Sequence, residues 1–330
     1  MIGPVDRTVN VTGTAVLCGG VGAARFLRGL LAVVPPSTVA AIVNTGDDTE
    51  MHGLSISPDL DTIVYTLAGA IDPERGWGLA GETWRAMEAL QRYVAVRPPT
   101  SSAAPDWFNL GDQDLATHFY RTARLAEGAT LSEVTGEVAR AWQLELDVVP
   151  MTDDRFRTLV TIEPHGEEIT FQDYFVRHRH GVPVRSIRFD HDGATLAGGA
   201  LQALESARSI VIAPSNPLVS IAPIRALPGV DHLLATRRDH VVAVSPIVGG
   251  AALKGPADRM LLELGLEPSV VGVARMYAPI AAVLVIDPVD VHHVAAVEAT
   301  GVRCVVQPSI MSTPERARAL ADACLAAING

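Results

Sequence analysis

Residues 14–48 read TAVLCGGVGAARFLRGLLAVVPPSTVAAIVNTGDD, and the order of residue types in this stretch decides the fold class. TAVLC at 14–18 is a short, mostly apolar run of strand length. Gly19-Gly20-Val21-Gly22 interrupts it. Residues 23–33 then carry apolar side chains at helical spacing, and residues 38–43 form a second apolar run ending in Asn44-Thr45-Gly46-Asp47-Asp48. Strand, glycine turn, helix and strand in that order make a βαβ unit, which implies a parallel sheet. Residues 211–213, 241–245 and 283–286 are further buried-strand candidates, each followed by a Pro- or Asp-rich turn. Helical spacing covers 61–68, 81–94, 114–127, 131–142, 257–264 and 314–328. Between them, residues 158–188 alternate apolar and polar side chains and hold His165, His178 and His180, the pattern of an antiparallel excursion. The expected fold class is α/β, a doubly wound and mostly parallel sheet. A single domain over 1–330 is expected, with a smaller inserted section at about 150–200.

Composition narrows the function. The chain has 330 residues, 48% of them hydrophobic and 19% charged, so a core can be buried without staples. Cys18, Cys304 and Cys324 are too far apart for a zinc motif or a disulfide framework and read as small hydrophobes. No apolar run approaches the roughly 18 residues of a membrane span. The first residues lack a charged segment followed by an apolar one, so no signal peptide is expected and a cytoplasmic location is. The net charge of −11 argues against a nucleic-acid binder, which would show a basic face. Lys254 is the one lysine in the sequence, which excludes a phosphate-loop lysine near the N-terminus.

Several segments carry residues suited to chemistry. Gly19, Gly20 and Gly22 let backbone N–H groups approach an anion, and the following helix aims its positive end there. GGVG matches neither the dinucleotide fingerprint nor a Walker loop. Asp47 and Asp48 close a strand at its carboxyl end, where open α/β sheets bind ligands. Ser57-Pro58-Asp59-Leu60-Asp61 opens a helix, so Asp59 has the position of a cap and Asp61 falls in the first turn. Two carboxylates from separate segments beside a phosphate cradle suit a Mg²⁺ ion bridging a diphosphate. Gly111-Asp112-Gln113-Asp114 precedes His118, which reads more readily as a hydrogen-bonded histidine than as a catalyst. Ser215 and Asn216 follow a strand, and Asn216 is suited to reading a base or ribose. Lys254 and Arg259 follow the turn at 245–250, within reach of an anion. There is no GxSxG and no cysteine with a local base, so positioning and metal electrostatics are the expected means of catalysis.

Read together, CGGVGAARFLRGL at 18–30, NTGDD at 44–48, SPDLDTIVYTLAGAIDPERGWG at 57–78, WFNLGDQDLATH at 107–118, PMTDDR at 150–155, FQDYFVR at 171–177, APSNPLVSIAPI at 213–224 and SPIVGGAALKGPADRM at 245–260 resemble the 2-phospho-L-lactate transferase family, also called the phosphoenolpyruvate transferase family, of coenzyme F420 biosynthesis. The resemblance spans nearly the whole chain. It implies a Rossmann-like core, a homodimer and dependence on Mg²⁺. The implied donor is guanosine diphosphate capped with phosphoenolpyruvate or phospholactate. The acceptor is 7,8-didemethyl-8-hydroxy-5-deazariboflavin, and GMP leaves. It makes Asp48 and Asp61 the metal and catalytic carboxylates. Gly19, Gly20, Val21, Gly22, Ser215 and Asn216 become nucleotide contacts, and Asn109, Gly111 and Asp112 deazaflavin contacts. A related family of nucleotide-sugar-binding regulators shares the glycine loop, but a sensor has no need of the DLD, GDQD and FQD segments. A nicotinamide oxidoreductase would need a third glycine and an acidic ribose reader.

Overall fold

The structure, a computed structural model, describes residues 13–101, 103–105 and 107–329; the leader expectation therefore falls largely outside the described residues. In chain order the first half comprises β1 (Thr14–Cys18), α1 (Gly20–Leu30), β2 (Val39–Val43), β3 (Thr49–Met51), β4 (Leu54–Ile56), α2 (Pro58–Leu67), α3 (Arg85–Val94), α4 (Asp114–Ala126), α5 (Leu131–Ala141), β5 (Asp147–Pro150), β6 (Phe156–Ile162), β7 (Glu167–Thr170) and β8 (Val184–His191). The second half comprises α6 (Gly198–Ser206), β9 (Ser209–Ile212), α7 (Ala222–Ala226), α8 (Val230–Thr236), β10 (Val241–Val244), β11 (Ile247–Val248), β12 (Ala251–Ala252), α9 (Ala257–Glu263), α10 (Val270–Tyr277), β13 (Val283–Ile286), α11 (Val294–Glu298), β14 (Arg303–Val306) and α12 (Pro314–Asn329).

Seven strands form one sheet in the order β14-β13-β10-β9-β1-β2-β5, every neighbouring pair parallel. Apolar residues run continuously along the central strands because both faces are covered. Ala15 and Leu17 of β1 enter the core shared with α6, α8, α9 and α10, while Val16 and Cys18 enter the core shared with α1, α2, α5 and α12. This is the expected doubly wound α/β sheet. The chain leaves β1 toward β2 and β5 and returns to β9 on the other side of β1. The order therefore reverses between β1 and β9, and a crevice opens there at the carboxyl ends of the strands.

Residues 156–191 build a separate antiparallel sheet, β7-β6-β8. Its first strand is fastened to the acidic turn after β2, because Thr158 N–H donates to the Gly46 carbonyl at 2.7 Å. A third, small core of Met51, Ile56, Met87, Leu110 and Leu115 lies under the β3–β4 hairpin. Cys18 and Cys324 are buried and Cys304 partly so, all as free thiols, in keeping with their reading as small hydrophobes. No single helix among the described residues is long and apolar enough to cross a membrane.

Candidate active site

Gly19 leaves β1 in extended backbone (φ −167°), and α1 begins at once at Gly20 (φ +73°), three residues earlier than the sequence spacing predicts. The glycines are thus the first turn of the helix rather than a loop before it. Gly20 supplies the positive φ, and Gly19 and Gly22 each answer a close approach. A Cβ on Gly19 would stand 2.5 Å from Asp59 Oδ2 and 2.9 Å from Ser220 Cβ, and one on Gly22 would stand 2.5 Å from the Pro214 carbonyl oxygen. Ser215 secures the turn across the crevice: its Oγ accepts from Gly19 N–H at 3.3 Å and donates to the Gly19 carbonyl at 2.9 Å. Gly20 N–H donates to Asp59, so two of the amides expected to meet a phosphate are already engaged within the protein. Asn216 Oδ1 accepts from Leu218 N–H at 2.9 Å and caps the turn that follows β9.

Four carboxylates converge beside this turn. Asp47 and Asp48 come from the end of β2, and Asp59 and Asp61 from the first turn of α2; Asp47, Asp59 and Asp61 are buried. Asn44 ties the two segments, donating to Asp59 Oδ2 and accepting from Gly46 N–H, both at 2.9 Å. Asp48 Oδ2 accepts from Ser57 Oγ at 2.6 Å. The other oxygens, Asp47 Oδ1 and Asp48 Oδ1, are shielded and have no partner among the described residues. Burial, with Asp59 and Asp48 alongside, pushes the Asp47 carboxyl well above its usual range. Burial does the same to Asp48 against the opposing pull of Ser57 and Arg121, and raises Asp59 to about 6. Clustered, unsatisfied carboxylate oxygens are what a hard divalent cation requires, so Asp47 and Asp48 fit one.

Asp61 differs from that expectation. Arg121 on α4 forks onto both its oxygens, one N–H···O at 3.1 Å, and the pair is sealed from water. Asp61 is near enough to Asp48 to raise it, and its own charge is met by a guanidinium. Behind Asp61, Arg121 approaches His118 Nδ1 at 3.3 Å, and Tyr65 donates to Asp114 Oδ1 at 2.6 Å and accepts from the Thr117 hydroxyl at 2.8 Å. Asp61, Asp114 and His118 lie close enough together to hold a metal. His118 is nevertheless a buried member of this network rather than a group open to substrate.

The GDQD segment joins two helices. Asp112 accepts from the N–H groups of Arg85 (3.1 Å) and Ala86 (3.0 Å) and from the Thr83 hydroxyl, capping α3. Glu82 reciprocates by accepting from Gln113 and Asp114 N–H, each at 2.8 Å, at the start of α4. Gly111 leaves room for that carboxylate, and Asn109 is exposed. Arg259 is taken up by Tyr174 (2.6 Å) and Glu263 (3.0 Å), whereas Lys254 is exposed and reaches the segment around Gly76, beside Val21 of α1.

A cavity of about 890 Å³ opens in front of Asp47 and Asp48, within the size range of small-molecule sites. The β3–β4 hairpin, Trp107 and the antiparallel insert with Arg157 and Phe171 enclose it. Gln172 holds the floor in place, its Nε2 donating to the Asp47 carbonyl at 3.3 Å. Of the residues singled out in the sequence as site residues, Asp48 lines this cavity; Asp61, the glycine turn, Asn109, Gly111, Asp112, Ser215 and Asn216 do not. Sequence reasoning missed His52 and Arg157. His52 has left-handed backbone (φ 55°), uncommon for a non-glycine residue, but a His-Gly pair at a hairpin tip gives no sign of it in sequence.

The family description "2-phospho-L-lactate transferase CofD" matches residues 14–309, almost the whole described chain. The chain belongs to the CofD family. Within it, the chain is similar to three proteins named phosphoenolpyruvate transferase. The one from Nocardia farcinica is 44% identical, with 91% of this chain and 90% of the relative covered. The one from Streptomyces griseus is 42% identical (93% and 95%), and the one from Mycolicibacterium smegmatis 39% (93% and 96%). Among solved structures, a Bacillus halodurans protein described as a member of the upf0052 family has the same fold. It has a TM-score of 0.60 at 15% identity, over 96% of this chain and 100% of that one. As a CofD-family member the chain is an enzyme, a transferase of coenzyme F420 biosynthesis that moves a phosphoester group.

Proposed function

We propose that the enzyme transfers a phosphoenolpyruvyl or 2-phospho-L-lactyl group from a guanosine diphosphate donor to the terminal ribityl hydroxyl of 7,8-didemethyl-8-hydroxy-5-deazariboflavin, releasing GMP. One observation carries this reading: partnerless carboxylate oxygens on Asp47 and Asp48 at the floor of a cavity, beside the crevice where the strand order reverses. Asp47 and Asp48 would hold Mg²⁺, and Asp61 would join them only by releasing an oxygen from Arg121. When bound, the cation supplies neutralising charge to the diphosphate. The remaining work belongs to the chain. The first turn of α1, with Val21 and Gly22, and Asn216 across the crevice present groups to the guanine nucleotide. Asn109, exposed ahead of α4, would contact the deazaflavin. The acidic floor orients the attacking hydroxyl and accepts its proton. Aligning hydroxyl and phosphorus needs no covalent enzyme intermediate. A homodimer in the cytoplasm, acting on small molecules and on neither nucleic acid nor membrane, completes the reading. Calorimetry with GDP and ADP tests the donor: GDP is expected to bind the more tightly, and equal affinities would remove the guanosine assignment.

A further inference from the structure

The cavity that Asp47 and Asp48 line also holds a cation that no carboxylate among the described residues meets. Arg157, the second residue of β6, lines the cavity and is half-buried. Asp190 stands directly across from it on β8 but is engaged by Arg155 at 3.0 Å and Arg188 at 3.2 Å. Among the described residues Arg157 makes no ion pair. By contrast, Arg185 and Arg188 on the same sheet each have a carboxylate within 4 Å. Its backbone is not free to wander, because the adjacent Thr158 N–H is bonded to Gly46, one residue before Asp47.

Holding a guanidinium partly out of water with no counter-ion is unfavourable, and its planar fork matches a carboxylate. The rest of the cavity is mostly acidic: Asp47, Asp48, Glu50 and Asp173 also line it, and its other arginine, Arg177, is paired with Asp173 at 3.7 Å. In the proposed donor, the carboxylate of the three-carbon acid is separated from the reacting phosphorus only by the ester oxygen and one carbon. A phosphorus held at the acidic floor therefore brings that carboxylate against the adjacent wall. The acceptor ring stands off from its hydroxyl by the whole ribityl chain.

We propose that Arg157 reads the carboxylate of the donor's three-carbon acid and so makes the enzyme specific for acid-bearing donors. This rests on the transfer reading above. It selects a class of donor, since phosphoenolpyruvate, phospholactate and phosphoglycerate all present the same carboxylate. The test compares wild type, Arg157→Gln and Arg157→Lys with the acid-bearing donor and with an analogue whose carboxylate is a neutral amide. A charged hydrogen-bonded contact of this kind is worth about tenfold to a hundredfold. Wild type should prefer the acid donor by roughly that factor. Arg157→Gln should lose the preference through a raised donor KM, with acceptor KM and calorimetric GDP affinity unchanged. Arg157→Lys should fall between. If Arg157→Gln keeps the preference, or its defect lies in acceptor KM, the assignment is overturned. If wild type releases no GMP from either donor, the transfer reading itself fails and takes this inference with it.

Discussion

Asp48 and Asp61 enter the sequence reading as equals, and their surroundings separate them. Asp48 keeps a free, shielded oxygen, and burial raises its carboxyl. Asp48→Asn removes a repelling charge from a crowded site, so it should leave folding stability unchanged or improved while turnover falls by a factor of at least about 10². Asp61→Asn should also lose turnover, but with a structural cost, since it leaves the Arg121 guanidinium buried without its partner. Breaking such a pair typically costs about 3–5 kcal/mol. Thermal unfolding and steady-state transfer on both variants check this. Near-normal turnover of Asp48→Asn under saturating Mg²⁺ would remove Asp48 from the metal site. Asp61→Asn unfolding at the wild-type temperature would mean that the Arg121 pair contributes nothing.

At the scale of elements, strands and helices with strong periodicity were legible. β13 falls where the spacing places it, and β1, α4, α5, α9 and α12 agree within a residue or two at either end. The β3–β4 hairpin, α6 and α10 were not read from sequence. The hairpin strands are three residues each, too short to show alternation, and α10 is buried so broadly that it lacks a polar face. The convergence of the acidic turn and the α2 entrance was legible in part, since carboxylates clustered after a strand and at a helix start stand out in the sequence, and the structure brings Asp47, Asp48, Asp59 and Asp61 together. The role of Asp112 was not legible. Its capping partners, Thr83, Arg85 and Ala86, are more than twenty-five residues away, and no local pattern encodes a cap supplied in trans. Arg157 was hidden for a similar reason: its freedom depends on where Arg155 and Arg188 place their charges.

For the whole molecule, Asp47, Asp48 and Asp59 set a pH dependence. Asp47, Asp48 and Asp59 are all raised, so the folded chain retains protons that the unfolded chain releases. Their contribution to stability is therefore largest below the ordinary carboxylate range and is lost as pH rises through about 6, the value for Asp59. A bound divalent cation reverses the penalty by favouring the ionised forms. The unfolding temperature with Mg²⁺ should exceed that in EDTA by a margin that widens from pH 5 to pH 8. A margin independent of pH would show that these carboxylates do not hold the ion.

In the proposed mechanism, buried carboxylates and a donor diphosphate share one site through a divalent cation. The most direct measurement follows GMP release and the phosphodiester product by mass spectrometry, using purified enzyme, acid-bearing guanosine diphosphate donor and deazaflavin. It is run in EDTA and again after Mg²⁺ or Mn²⁺ is restored. The account predicts GMP and product in equal amounts with Mg²⁺, neither in EDTA, recovery on adding the ion back, and deazaflavin binding that survives chelation because a neutral ring rests on apolar surface. Undiminished transfer in EDTA, or product formed without GMP, would contradict it.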